Sequence, residues 1–142
     1  YENYSKYVEE NSILNVSFLG PKWNEDLDPI IKDCEFVIIP SEWHEPSPYV
    51  ALQSFSYGKP VIASNMGGLN DLIINNKNGL LFKAGDKNDL SHTIQYLFQD
   101  KKIIQNMGIN ARLLIENKYN PERYYSDTIN VFNELINFKK NI

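Results

Sequence analysis

Residues 35–63 read EFVIIPSEWHEPSPYVALQSFSYGKPVIA: an apolar run, a polar loop, a short helical pattern and a second apolar run. Residues 35–39 and 60–63 have the length and composition of buried strands. Between them, Ser47-Pro48 reads as an N-cap and first helical residue, and Gly58-Lys59-Pro60 as a C-terminal glycine and a stop, bounding a helix over 48–57. A strand, a crossover helix and a second strand in this order make a parallel pair with a right-handed connection.

The same alternation extends in both directions. Residues 15–19 and 79–82 read as further strands, and 27–33 and 69–74 as further helices. After Phe82 the strand signals stop. Helical patterns follow over 87–99, over 101–117 with Gly108 as a break, and over 121–139. The last opens Asn120-Pro121-Glu122, an N-cap, a proline and an acid in the first turn. Its apolar residues recur at spacings of three and four, from Tyr124 to Phe138, so it is expected to dock by one face. The expected fold class is α/β, a Rossmann-like three-layer α/β/α arrangement with a parallel sheet. The 142 residues are read as a single domain, because no linker, repeat or low-complexity tract interrupts them.

Composition narrows the function. A net charge of −4 argues against nucleic acid as a partner, since a polyanion calls for a concentrated basic surface. Backbone amides can still hold a small anion. The lone Cys34 cannot form an internal disulfide and reads as a buried, inert thiol. No apolar run reaches the ~20 residues that span a bilayer, and no signal peptide is seen, so a cytoplasmic location is expected.

In a parallel sheet the loops after residues 35–39 and 60–63 emerge on one edge, the edge where open α/β folds bind ligands. The start of the Pro48 helix supplies unpaired N–H groups and partial positive charge for a diphosphate. Gly67-Gly68 removes two Cβ atoms from the neighbouring loop and gives a ligand room to approach the backbone. Glu45 and Gln53 bracket the helix start. A carboxylate accepts from sugar hydroxyls, and a carboxamide can both accept and donate.

The run from Val37 to Leu90, with Pro-Ser, Glu45, seven residues, Gln53, Gly-Lys-Pro-Val-Ile, a Gly-Gly loop closed by an acid, and Asn-Gly-Leu-Leu, resembles the C-terminal domain of family 4 retaining glycosyltransferases. The resemblance covers the chain from about Val16 to the final helix. It implies the C-terminal half of a GT-B fold, N-terminally truncated, that binds a nucleotide-diphosphate sugar and transfers the glycosyl group with retention. By position, Glu45 matches the glutamate that contacts the donor sugar, and it is the catalytic candidate. Gln53 stands where the family has its ribose-binding glutamate. Ser47, Pro48, Tyr49 and Val50 match the turn near the diphosphate, although Pro48 has no N–H to give. Asn65, Gly67, Gly68 and Leu69 match the donor loop, Asp71 its closing acid, and residues 20–23 with Trp23 the region beside the base. The resemblance implies no cofactor and no metal. It also implies a glycan or lipid-linked acceptor held by an N-terminal domain, so no turnover is expected of this chain alone.

Other residues carry less. His44 reads as a pocket-rim side chain and His92 as a solvent-exposed one. The two histidines and one cysteine lie too far apart in sequence to suggest a zinc site, and Asp26 and Asp28 lack the rest of a calcium loop. Lys101, Lys102, Lys118, Lys139 and Lys140 could form a basic fringe for peripheral contact with the inner face of the plasma membrane. The alternative reading is a non-catalytic GT-B-like partner subunit, favoured by Gln53 and Pro48. A GT-B-like epimerase fits the Asn-Gly-Leu-Leu context least. The sugar, the acceptor and the base are not legible.

Overall fold

The computed structural model describes residues 2–140. The chain divides into two compact units, Tyr1–Ile30 and Ile31–Ile142. The first contains helix α1 (Glu2–Glu10) and a 3-10 turn (Asn24–Asp26); α2 (Asp28–Asp33) follows across the boundary. Residues 15–19, expected as a strand, form none. Val16 and Leu19 stay 45% and 53% exposed. An apolar alternation gives a strand its face, but a strand also needs a ladder partner, and the three strands that pair all lie beyond residue 36.

The second unit runs β1 (Val37–Ile39), α3 (Tyr49–Ser56), β2 (Val61–Ser64), α4 (Leu69–Leu72), β3 (Gly79–Phe82), α5 (Lys87–Phe98), α6 (Lys101–Lys118) and α7 (Pro121–Lys140). The sheet is parallel in the order β1-β2-β3, with Val37 opposite Val61 and Val61 opposite Gly79. The central strand β2 is buried throughout. Its Val61 and Ala63 pack with Ala51, Phe55, Leu69 and Ala111, while Ile62 packs with Leu97, Ile104 and Met107. Helices thus cover both faces, which is why these strands read as continuous apolar runs. The expected three-layer α/β class is the observed one.

Local chemistry fixes the turns between these layers. Gly58, at φ +67, closes α3 with its N–H on the Phe55 carbonyl at 2.9 Å, as the glycine signal predicts. Asn78 is 1% exposed; its Oδ1 accepts from the Ile74 N–H at 2.8 Å and its Nδ2 donates to the Leu72 carbonyl at 3.1 Å. Both polar ends of this buried side chain are used, so its burial carries no unmet polar group. Asp86 caps α5 by accepting from the Asn88 and Asp89 N–H groups, and the bond from Asp89 leads in holding its carboxyl below the ordinary value. Asn120 Oδ1 accepts from the Arg123 N–H at 2.8 Å, the cap expected for the helix that begins at Pro121.

Two helical expectations, and one about Cys34, need correction. Gly108 does not break α6, which runs unbroken from Lys101 to Lys118. A Cβ at Gly108 would overlap the Gly58 carbonyl oxygen, so this glycine lets α6 lie against the end of α3. α7 does not bury one face: Phe132, Leu135 and Phe138 are 58%, 60% and 68% exposed. Spacing gives a helix an apolar stripe, whereas burial needs a surface to receive it, and none of the described elements of its own unit covers this one. Cys34 is half-buried rather than buried. Its Sγ donates to the Ile31 carbonyl at 3.1 Å, and burial pushes its thiol above the ordinary value, which leaves little thiolate for chemistry. Among the described residues, no helix is long and apolar enough to cross a membrane.

Candidate functional site

Three loops leave the C-terminal ends of the parallel strands: residues 40–48 after β1, 65–68 after β2 and 83–86 after β3. Hydrogen bonds tie them together. Buried Ser64, the last residue of β2, donates its Oγ to the Ser41 carbonyl at 2.5 Å. The Asn65 N–H reaches the Phe82 carbonyl at 2.7 Å, and the Gly68 N–H reaches the Glu45 carbonyl at 2.7 Å. The first loop is therefore clasped at its start by the end of β2 and at its middle by the second loop.

That clasp changes the reading of the glycines. Gly67 has φ +55, and a Cβ there would lie 2.9 Å from the Glu45 carbonyl oxygen and 3.1 Å from His44 Cα. At Gly68 a Cβ would lie 2.8 Å from the Pro46 carbonyl oxygen and 2.9 Å from that of Glu45. The space freed by the missing side chains is occupied by the backbone of residues 44–46. Sequence spacing suggests room for a ligand; the fold uses that room to seat Glu45.

The start of α3 is also narrower as an anion site than the sequence suggests. The Ser47 side chain makes no cap: Pro48 is the cap residue, no side-chain oxygen serves the helix end, and the helix begins at Tyr49. A proline with ψ 80 already turns the chain into the helix, and the Ser47 carbonyl takes the Tyr49 N–H at 2.9 Å. Ala51 and Leu52 donate to the Pro48 carbonyl. Val50 then carries the first-turn N–H that by its position has no acceptor inside the helix. Tyr49 and Val50 are 72% and 47% exposed, and Pro48 is buried.

The remaining candidates separate. Glu45 is half-buried at the clasp, and Gln53 is half-buried inside α3. Asn65 and Asp71 are exposed, but Leu69 is fully buried in the core beside Phe55, so its side chain cannot meet a ligand. His44 is exposed on the clasped loop, as expected of a rim residue. His92 is exposed on α5 and lines a separate groove with Asn75 and Tyr96. Residues 20–23 belong to the Tyr1–Ile30 unit, where Trp23 is 76% exposed. Lys101 and Lys118 stand at opposite ends of α6, about 25 Å apart at helical rise, so the lysines are not one patch. A cavity of about 730 Å³ lies between Leu52 and the corner where α6 meets α7; of the residues above, Lys118 lines it and none of the donor-site candidates does.

One residue escapes sequence reading. Trp43, 70% exposed, directs its indole N–H at Glu45 Oε1 across 3.4 Å. An aromatic residue two positions before a candidate carboxylate in the same loop was the available signal.

The sequence pattern described as Glycosyl transferases group 1 matches residues 2–114. The chain belongs to that family. It is 28% identical over 135 residues to an uncharacterized glycosyltransferase of Methanocaldococcus jannaschii, covering 95% of this chain and 38% of that protein. It is 34% identical over 119 residues to the UDP-Gal:alpha-D-GlcNAc-diphosphoundecaprenol alpha-1,3-galactosyltransferase of Escherichia coli, covering 82% and 29%. In three dimensions it resembles the sucrose-phosphate synthase of Thermosynechococcus elongatus, with a TM-score of 0.84 at 28% identity over 95% of this chain and 34% of that one. The group 1 chain thus spans about a third of these relatives' length. Its parallel sheet and flanking helices are those of the C-terminal domain of GT-B glycosyltransferases.

Proposed function

We propose that this group 1 chain is the donor-binding part of a family 4 glycosyltransferase that retains anomeric configuration. The observation that carries the reading is the Gly68 to Glu45 clasp, which joins the two motif loops at the strand-end edge where α/β folds take ligands. On that surface Glu45 orients the hydroxyls of the transferred sugar and Gln53 meets the ribose. Val50 and the positive end of α3 stabilise the departing diphosphate, an electrostatic role that calls on no metal and no cofactor. The acceptor is a glycan or lipid-linked sugar bound outside this chain, and the protein works in the cytoplasm at the inner face of the plasma membrane. UDP is the first nucleotide to try, because the name of the Escherichia coli relative specifies UDP-Gal.

Titration of the chain with UDP, GDP and ADP, followed by amide NMR, tests this. The expected result is saturable shifts for one nucleotide, concentrated at residues 45–53 and 65–68. Shifts confined to other surfaces, or none at millimolar nucleotide, would remove the donor site from these loops.

Gln53 favours a second reading, a non-catalytic partner subunit that kept the fold, because a carboxamide lacks the charge-assisted bond a glutamate makes to a hydroxyl. The two readings separate on Gln53→Glu. A donor-binding enzyme gains about tenfold in nucleotide affinity from the stronger bond; a partner subunit gains nothing.

A further inference from the structure

Trp43 and Glu45 sit two residues apart in a loop whose backbone is already held, because the Glu45 carbonyl accepts from Gly68 and the Ser41 carbonyl accepts from Ser64. What remains free at Glu45 is rotation about its side-chain bonds. A carboxylate that must be frozen on binding loses affinity to that ordering, and one held beforehand does not. The indole N–H lies 3.4 Å from Oε1, a long and therefore weak bond that still biases the carboxylate toward one orientation. It is a donor with no acceptor capacity, so it suits the ionised carboxylate. Trp43 contributes little to the fold, since 70% of its surface is exposed, so replacing it leaves the loop's backbone bonds in place.

We propose that Trp43 is a positioning residue for Glu45: its indole N–H holds Oε1, so that Oε2 meets the donor sugar already aimed. The proposal rests on the donor-binding reading of these loops. It makes a selective claim. Trp43 acts on recognition of the sugar through Glu45 and has no effect on the nucleotide.

The test is calorimetric titration of the chain with UDP, UDP-galactose and UDP-glucose, using wild type, Trp43→Phe, Trp43→Leu, Glu45→Ala and the Trp43→Phe/Glu45→Ala double variant. Trp43→Phe is expected to weaken the tighter UDP-sugar about fivefold, the scale of one ordinary net hydrogen bond, with UDP unchanged. In the Glu45→Ala background the same change should add nothing, because the two residues act as one unit. Equal weakening of UDP and UDP-sugar overturns the proposal, as does an undiminished effect without Glu45, or no effect at all. A loss in Trp43→Leu that Trp43→Phe does not share makes the ring a stacking surface and also overturns the N–H role. If wild type binds none of the three compounds and the Gly67 and Gly68 amide signals stay still, the donor reading falls and takes this proposal with it. Wild-type binding without the Trp43 pattern removes this proposal alone.

Discussion

Gly79→Ala should lower the stability of this chain by about 3 kcal/mol. Gly79 opens β3 directly opposite Val61 of the central strand, and a Cβ there would overlap the Val61 carbonyl oxygen while pressing within 3.2 Å of Ile73 Cγ2. Neither neighbour can yield cheaply. Val61 is fully buried between β1 and β3, and Ile73 is 2% exposed in the same cluster. Close-packed interiors relax only partly, so the strain is met by loosening the β2–β3 pairing. Set against a typical stability of about 5–15 kcal/mol, that loss is a large fraction. Urea unfolding of wild type and variant measures it, and a shift below about 0.5 kcal/mol, the scale of an indifferent surface change, would show that β3 enters the sheet by another geometry. Asn78 reinforces the argument, because its two side-chain bonds deliver the chain to Gly79 in register.

The Asn-Gly-Leu-Leu run was legible in the sequence as a strand, and its start and end were read correctly, because a buried strand between helices needs only an apolar run and a turn before it. β2 was legible too, with each end one residue later than expected, as was the cap of α7; in both the deciding contacts lie within a few residues. What sequence could not show is contact between distant segments. Val16 and Leu19 have strand chemistry, but pairing depends on a partner that no local pattern names. Gly108 looks like a helix breaker by propensity, yet its lack of a side chain matters to Gly58, fifty residues earlier. The stripe on α7 gives its period without saying what covers it.

The candidate site divides along the same line. Glu45 and the Gly-Gly loop were legible as motif positions, but the reason for the glycines was not. Spacing carries no information that residues 44–46 and 67–68 meet. Ser47 was read as a cap because serine before Pro-x-x at a helix start fits the rule; the backbone at Pro48 makes the turn without it. Trp43 was passed over because an exposed tryptophan in a loop has no periodic signature.

Gly68→Ala should cost the chain about 10- to 100-fold in affinity for a nucleotide sugar, the scale of losing bonds to a charged group, while the fold survives. Gly68 has φ −63, an ordinary helical value, so alanine meets no backbone strain of its own. The effect arises from contact alone: its Cβ would lie 2.8 Å from the Pro46 carbonyl oxygen and 2.9 Å from that of Glu45. Unlike Val61, these atoms belong to an exposed or half-buried loop that can swing outward. The overlap is therefore relieved by moving the loop, at a stability loss of about 1–2 kcal/mol. Moving it breaks the Gly68 to Glu45 bond and carries the Glu45 carboxylate away from where a sugar would meet it. If the proposed donor site is right and the diphosphate sits at the start of α3, UDP alone should lose much less. Calorimetric titration with UDP and UDP-sugars, beside urea unfolding, reads the two effects separately. A folded Gly68→Ala variant that binds sugar nucleotides as tightly as wild type would mean that the clasp seats Glu45 for no purpose the donor requires.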